Sequence, residues 1–115
     1  MKVRKAVKND LQEIWRQAQI ALGDEVWFSK RFLFDTFEKF GENSYVFEDD
    51  TGKIGGTAIF QGHYDGRAWT WMIYVRNDLQ KKGYGTSFLK ALEKELKQKG
   101  YRKLYADVTL GDVAS

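Results

Sequence analysis

The 115 residues contain no cysteine, no proline and a single histidine, His63. The missing cysteine excludes disulfide staples, thiolate metal sites and a cysteine nucleophile. One histidine leaves little material for a His-rich metal centre or a catalytic triad, and no metal site is expected. Turns must be built from Gly, Asn and Asp, since proline is absent. No apolar run approaches the roughly 18 residues of a membrane span, and the start MKVRKAVKND has no signal-peptide apolar region. A cytoplasmic protein without membrane contact is expected. Charge of one sign is also scarce: 19 basic residues face 16 acidic ones, a net charge of +3. A nucleic-acid-binding surface shows a stronger one-sided stripe, so nucleic acid is not the expected partner. The basic excess gathers between Lys81 and Lys103, which suits a small anion held at one place.

What is present is the material of a folded core. Hydrophobic residues make up 43% and aromatics 16% of the chain, which argues against disorder. No linker, low-complexity tract or internal repeat divides it, so one domain over 1–115 is expected. Residues 2–7 alternate as a short strand. Asp10 with Glu13 forms a candidate capping box for a helix carrying Leu11, Ile14, Trp15, Ala18 and Leu22 on one face, which Gly23 ends. Ser29 caps a second helix lined by Phe32, Leu33, Thr36, Phe37 and Phe40. The connector between these helices carries Trp27 and Phe28.

Three strands in a meander follow, turning at Asp50-Thr51-Gly52 and at Asp65-Gly66, a two-residue hairpin signal. Strict alternation in the last of them puts Trp69, Trp71, Ile73 and Val75 on one face and Thr70, Met72 and Tyr74 on the other. A third helix over about 85–99 buries Phe88, Leu89, Leu92 and Leu96, and Gly100 stops it. The segment KLYADVTL reads as a last strand, with Leu104, Ala106, Val108 and Leu110 on one face. Its position after a strand and a helix calls for a parallel, right-handed crossover. The order β-α-α-β-β-β-α-β predicts an α/β (α+β) fold, a mixed and mostly antiparallel sheet with helices on both faces.

Between the last meander strand and the third helix lies VRNDLQKKGYG. Glycines at 83 and 85 let backbone approach a ligand closely. The helix start exposes unpaired amides at a positive dipole end, where a phosphate gains hydrogen bonds and charge stabilisation. Lys81 and Lys82 flank the place. The segment is neither a P-loop nor a dinucleotide fingerprint. A solvated strand-to-helix loop explains a bare G-x-G as well as a phosphate cradle does.

The segment resembles the acyl-CoA motif Q/R-x-x-G-x-G/A of the GNAT N-acetyltransferases, with Gln80, Gly83 and Gly85 at the three defining positions. The element order matches as well, so the resemblance runs along almost the whole chain. It implies acetyl-CoA as co-substrate and a primary amine, on a small molecule or peptide, as acceptor. It places Ile73, Tyr74 and Val75 along the pantetheine and acetyl group, and Gln80, Lys81, Lys82, Gly83, Tyr84, Gly85 and Thr86 around the pyrophosphate. A strand amide near Tyr74 or Val75 would polarise the thioester oxygen. Tyr74 and Asp107 are the candidate catalytic side chains, and Trp27 and Phe28 the candidate acceptor-binding ones. Family members usually continue with another helix and two strands, whereas this sequence stops at TLGDVAS. The resemblance therefore also admits a non-catalytic acyl-CoA-binding module, and a homodimer through the edge of the strand from Leu104 to Leu110.

Overall fold

The computed structural model describes residues 2–23 and 28–105. Five strands form one sheet in sequence order: β1 (Lys2–Lys5), β2 (Ser44–Glu48), β3 (Ile54–Gly62), β4 (Arg67–Val75) and β5 (Lys103–Tyr105). The first four pair antiparallel and β4 pairs parallel with β5. Three helices complete the order: α1 (Leu11–Leu22), α2 (Lys30–Phe40) and α3 (Tyr84–Gln98). This is the mixed, mostly antiparallel fold that the periodicities predict. Ala106, Asp107, Val108 and Leu110 lie outside the described residues.

The sheet separates two apolar clusters. On one face Leu11, Ile14 and Ala18 of α1 and Leu33 of α2 pack on Val46, Ile59, Met72 and Tyr74. On the other, Phe88, Leu92 and Leu96 of α3 pack on Phe47, Phe60, Ala68, Ile73 and Val75. Helices on both faces are what a β4 apolar on both sides requires.

The helix boundaries follow local chemistry in part. The Ser29 hydroxyl accepts a hydrogen bond from the Phe32 amide at 3.1 Å and caps α2. The expected capping box of α1 does not form. A short 3₁₀ turn, Lys8–Asp10, leads into that helix. Asp10 instead accepts from the Val7 amide at 2.8 Å and pairs with Arg4, which also reaches Glu48. Glu13 accepts from Arg16 and Gln17. The arginine offers two charge-assisted bonds, which a helix amide does not match. The Asp65-Gly66 hairpin is longer than two residues: 63–66 connect the strands, His63 donating its amide to the Arg67 carbonyl.

The larger correction concerns β4. Ile59 pairs with Met72 but Phe60 pairs with Thr70, so Trp71 is an extra residue, a β-bulge. A bulge reverses the alternation. Ala68 joins Ile73 and Val75 on the α3 face, while Trp71 packs with Met72 and Tyr74 on the α1–α2 face. The strict alternation read from sequence had put Trp71 with Ile73. Phe32 also departs from its expected buried place, being 45% exposed.

Candidate active site

The turn between β4 and α3 is held rigidly from several sides. Arg76, just past β4, pairs with Asp78 (2.6 Å) and Asp49 (3.0 Å) and donates to the Ile54 carbonyl. It is thereby committed to the β2–β3 turn. Gln80 donates its side-chain amide to the Val75 carbonyl (3.0 Å) and to Asn77 (3.3 Å), bracing the strand end against the turn. Below, the Phe47 ring lies parallel to Tyr84, 5.7 Å away at 4°, and edge-on to Phe88 at 4.9 Å. Room for that ring comes from Gly55 and Gly56, where an added Cβ would sit 2.4 Å from Phe47 in either case. Consecutive glycines inside a strand were the sequence signal of this close approach.

The turn itself offers donors. Lys81 (φ 62°) and Gly83 (φ 83°) are left-handed, and Lys82 between them is not. Alternation of this kind turns successive amides toward a common concavity, an anion nest. The first helical bond runs from the Ser87 amide to the Gly83 carbonyl at 3.1 Å. The amides of Tyr84, Gly85 and Thr86 precede it and meet no acceptor among the described residues. Nothing lies within 4 Å of a Cβ built on Gly83. Lys81 and Lys82 are exposed and make no ion pair among the described residues. Free amides, a helix dipole, two unpaired cations and open space together fit a phosphate group.

Beside this turn, the pairing of β4 with described residues of β5 ends at Trp69–Tyr105, while β4 runs on to Val75. Ile73, Tyr74 and Val75 are all buried. Their side chains go to alternate faces, Tyr74 toward α1 and the other two toward α3. The Tyr74 hydroxyl donates to Gln17 Oε1 at 2.8 Å and accepts from Thr57 at 2.9 Å. Burial pushes its pKa above the ordinary phenol value, with the Thr57 bond opposing. Gln17 in turn donates to the Ile54 carbonyl and to Glu13. This buried chain ties α1 to β4. The signal for it was a glutamine on the apolar arc of α1, three residues past Ile14.

Phe28 is buried, its ring 4.7 Å from Trp71 and 5.8 Å from Trp15. It stands behind Trp71 rather than at the surface. Phe32 also stacks on Trp71, with centroids 5.9 Å apart and planes at 18°. Neither Phe32 nor Trp71 was a sequence candidate, because the bulge that turns Trp71 to this face leaves no mark in composition. Trp27 and Asp107 lie outside the described residues, and no group of three or more potential metal ligands occurs among those described. Within the same limit, no helix is long and apolar enough to cross a membrane.

A model of the acetyltransferase (GNAT) family matches residues 5–115. The chain belongs to that family. Among solved structures, the GNAT fold recurs in the ribosomal-protein-S18-alanine N-acetyltransferase from Escherichia coli, at 26% identity and a TM-score of 0.75. The alignment covers 93% of this chain and 66% of that one. The phosphinothricin acetyltransferase from Sinorhizobium meliloti, solved with AcCoA, gives a TM-score of 0.77 at 22% identity, covering 91% and 64%. N-acetylglutamate synthase from Neisseria gonorrhoeae, complexed with coenzyme A and N-acetyl-glutamate, gives 0.75 at 19%, covering 91% and 24%. This GNAT chain thus spans less than two thirds of the length of each. No curated protein matches it.

Proposed function

We propose that the chain is an N-acetyltransferase that moves an acetyl group from acetyl-CoA to a primary amine. The observation that carries this reading is the turn at 80–86, where unpaired amides at the start of α3 lie beside the end of β4. Gln80 through Thr86 hold the pyrophosphate: the backbone of 83–86 donates hydrogen bonds and Lys81 and Lys82 supply charge. Gln80 acts through its brace on Val75, keeping the turn in register with the strand. The backbone of Ile73, Tyr74 and Val75, beyond the described pairing of β4 with β5, receives the pantetheine arm. An amide of this stretch polarises the carbonyl oxygen that becomes negative during transfer.

When bound, acetyl-CoA supplies an activated acetyl group: the amine nitrogen forms a C–N bond to it, the C–S bond breaks, and the amine's proton balances the departing thiolate. An alkylamine with pKa near 10.4 is neutral in only about one part in 10³ at pH 7, so a proton must be removed first. Asp107 is the proposed acceptor of that proton. Tyr74 contributes through its backbone and through its tie to Gln17, since both hydrogen bonds of its hydroxyl are made in the core. Trp27 and Phe28 belong to the acceptor side. A thiolate leaves without strong acid assistance, so positioning supplies much of the rate.

A second reading, a non-catalytic acyl-CoA-binding module, is favoured by the same Tyr74 geometry, which leaves that hydroxyl no free proton to give. β5 is an edge of the sheet among the described residues, and we assign to it a homodimer contact, for which concentration-independent monomers in sedimentation would be the contrary result. Acetyl-CoA should raise the melting temperature, and Lys82→Glu should abolish the rise. No shift at saturating ligand would reject both readings. Release of free CoA thiol across a panel of amines then separates enzyme from binder.

A further inference from the structure

On the α1–α2 face, Phe32, Thr36, Ile59, Phe60, Gln61 and Trp71 line a cavity of about 150 Å³. A protein cavity of about 150 Å³ lined by apolar side chains is large enough to take up benzene. One wall is the Phe32–Trp71 stack, and Phe28 backs Trp71. Phe32 remains 45% exposed, so the wall opens to solvent. Thr36, on the same wall as Phe32, is only 8% exposed.

The cavity is positioned by the bulge. Trp71 is the extra residue of β4, and two residues further along begins the stretch of Ile73, Tyr74 and Val75 that receives pantetheine and acetyl group in the reading above.

We infer that this cavity is the acceptor's side-chain pocket, and that the acceptor is a small primary amine bearing a single six-membered ring. Apolar contact with Trp71 and Phe32 holds the ring. The inference rests on the acetyl-transfer reading for its chemistry, but ring binding can be read without turnover.

The experiment has two arms on the whole chain. In the first, kcat/KM by thiol release is compared for 2-phenylethylamine, 4-hydroxyphenylethylamine and n-butylamine with acetyl-CoA. A preference of roughly 10-fold or more for the ring amines is expected from burying one ring. Thr36→Leu, which fills the cavity, and Phe32→Ala, which removes a largely exposed wall, should each erase most of that preference. Equal turnover of the three amines, or a preference untouched by both variants, would overturn the inference. The second arm titrates 2-phenylethylamine by calorimetry into wild type and both variants. Saturable binding weakened in both supports the pocket, and no binding overturns it even where no amine is turned over. The acetyl-CoA melting shift is followed alongside, so loss of the cofactor reading is seen separately.

Discussion

Replacing Gly55 or Gly56 by alanine tests whether Phe47 is the part that couples the sheet to the turn before α3. At Gly55 the new Cβ meets only side chains, Phe47 at 2.4 Å and Leu79 at 2.8 Å; at Gly56 it meets Phe47 at 2.4 Å and the Tyr74 carbonyl at 2.8 Å. Overpacking of this kind costs about 1–3 kcal/mol. At roughly 2.1 cal/mol/K per residue of unfolding entropy, each kcal/mol lowers the Tm of a chain this size by roughly 4 °C. Either substitution should therefore cost roughly 4–12 °C. The two separate in a double-mutant cycle with Phe47→Leu, which shrinks the obstructing ring. That change has a cost of its own, on the order of 1 kcal/mol. In its background Gly55→Ala should become nearly harmless, because the remaining neighbour is the end of a leucine. Gly56→Ala should stay costly, because a backbone carbonyl on a central strand cannot withdraw. Urea titrations of the six proteins supply the coupling energies. Strict additivity for Gly55→Ala with Phe47→Leu would refute the reasoning, and so would full rescue of Gly56→Ala.

Ser29→Ala removes the cap of α2 and should lower stability by about 1 kcal/mol, seen as a Tm roughly 4 °C lower. Tyr74→Phe strands the Gln17 and Thr57 groups in the core. It should cost about 1–3 kcal/mol in a urea titration. Under the proposed acetyl transfer, thiol release by the folded protein should stay within a few-fold of wild type. For Asp10, burial alone would raise the pKa, but hydrogen bonds from Arg4 and the Val7 amide hold it below the ordinary carboxylate range. A depressed folded-state pKa means the unfolded chain binds more protons, so the stabilisation is present above about pH 4 and is lost as pH falls further. Melting curves from pH 6 to pH 2 should drop more steeply in wild type than in Asp10→Asn.

The fold, and the geometry of the turn before α3, were legible because each was announced by local chemistry. Ser29, Gly23 and Gly100 punctuate helices by backbone rules that need no tertiary context. The glycines at 83 and 85 stand where a strand meets a helix, and the structure makes Gly83 left-handed. What failed were readings that assume an uninterrupted period. Alternation through β4 breaks at Trp71, since a bulge is decided by pairing with β3 and not by the residues that carry it. Phe32 follows the helical stripe of α2 yet remains 45% exposed, its ring stacked on the bulge residue Trp71. The Asp10 cap was lost to a competitor, Arg4, that lies on another element.

The bulge in β4 has a consequence for how the strand tolerates change in length. It works as a phase shifter: the two halves of one strand serve opposite layers in opposite phase. Removing the single residue Trp71 would restore an ordinary ladder, and the hydrogen bonds would lose little. Thr70 would stay opposite Phe60 and Ala68 opposite Gly62, so no side chain before it would change sides. What would go is the indole against which Phe28 and Phe32 lie, so the extra residue serves the aromatic wall and not the two cores.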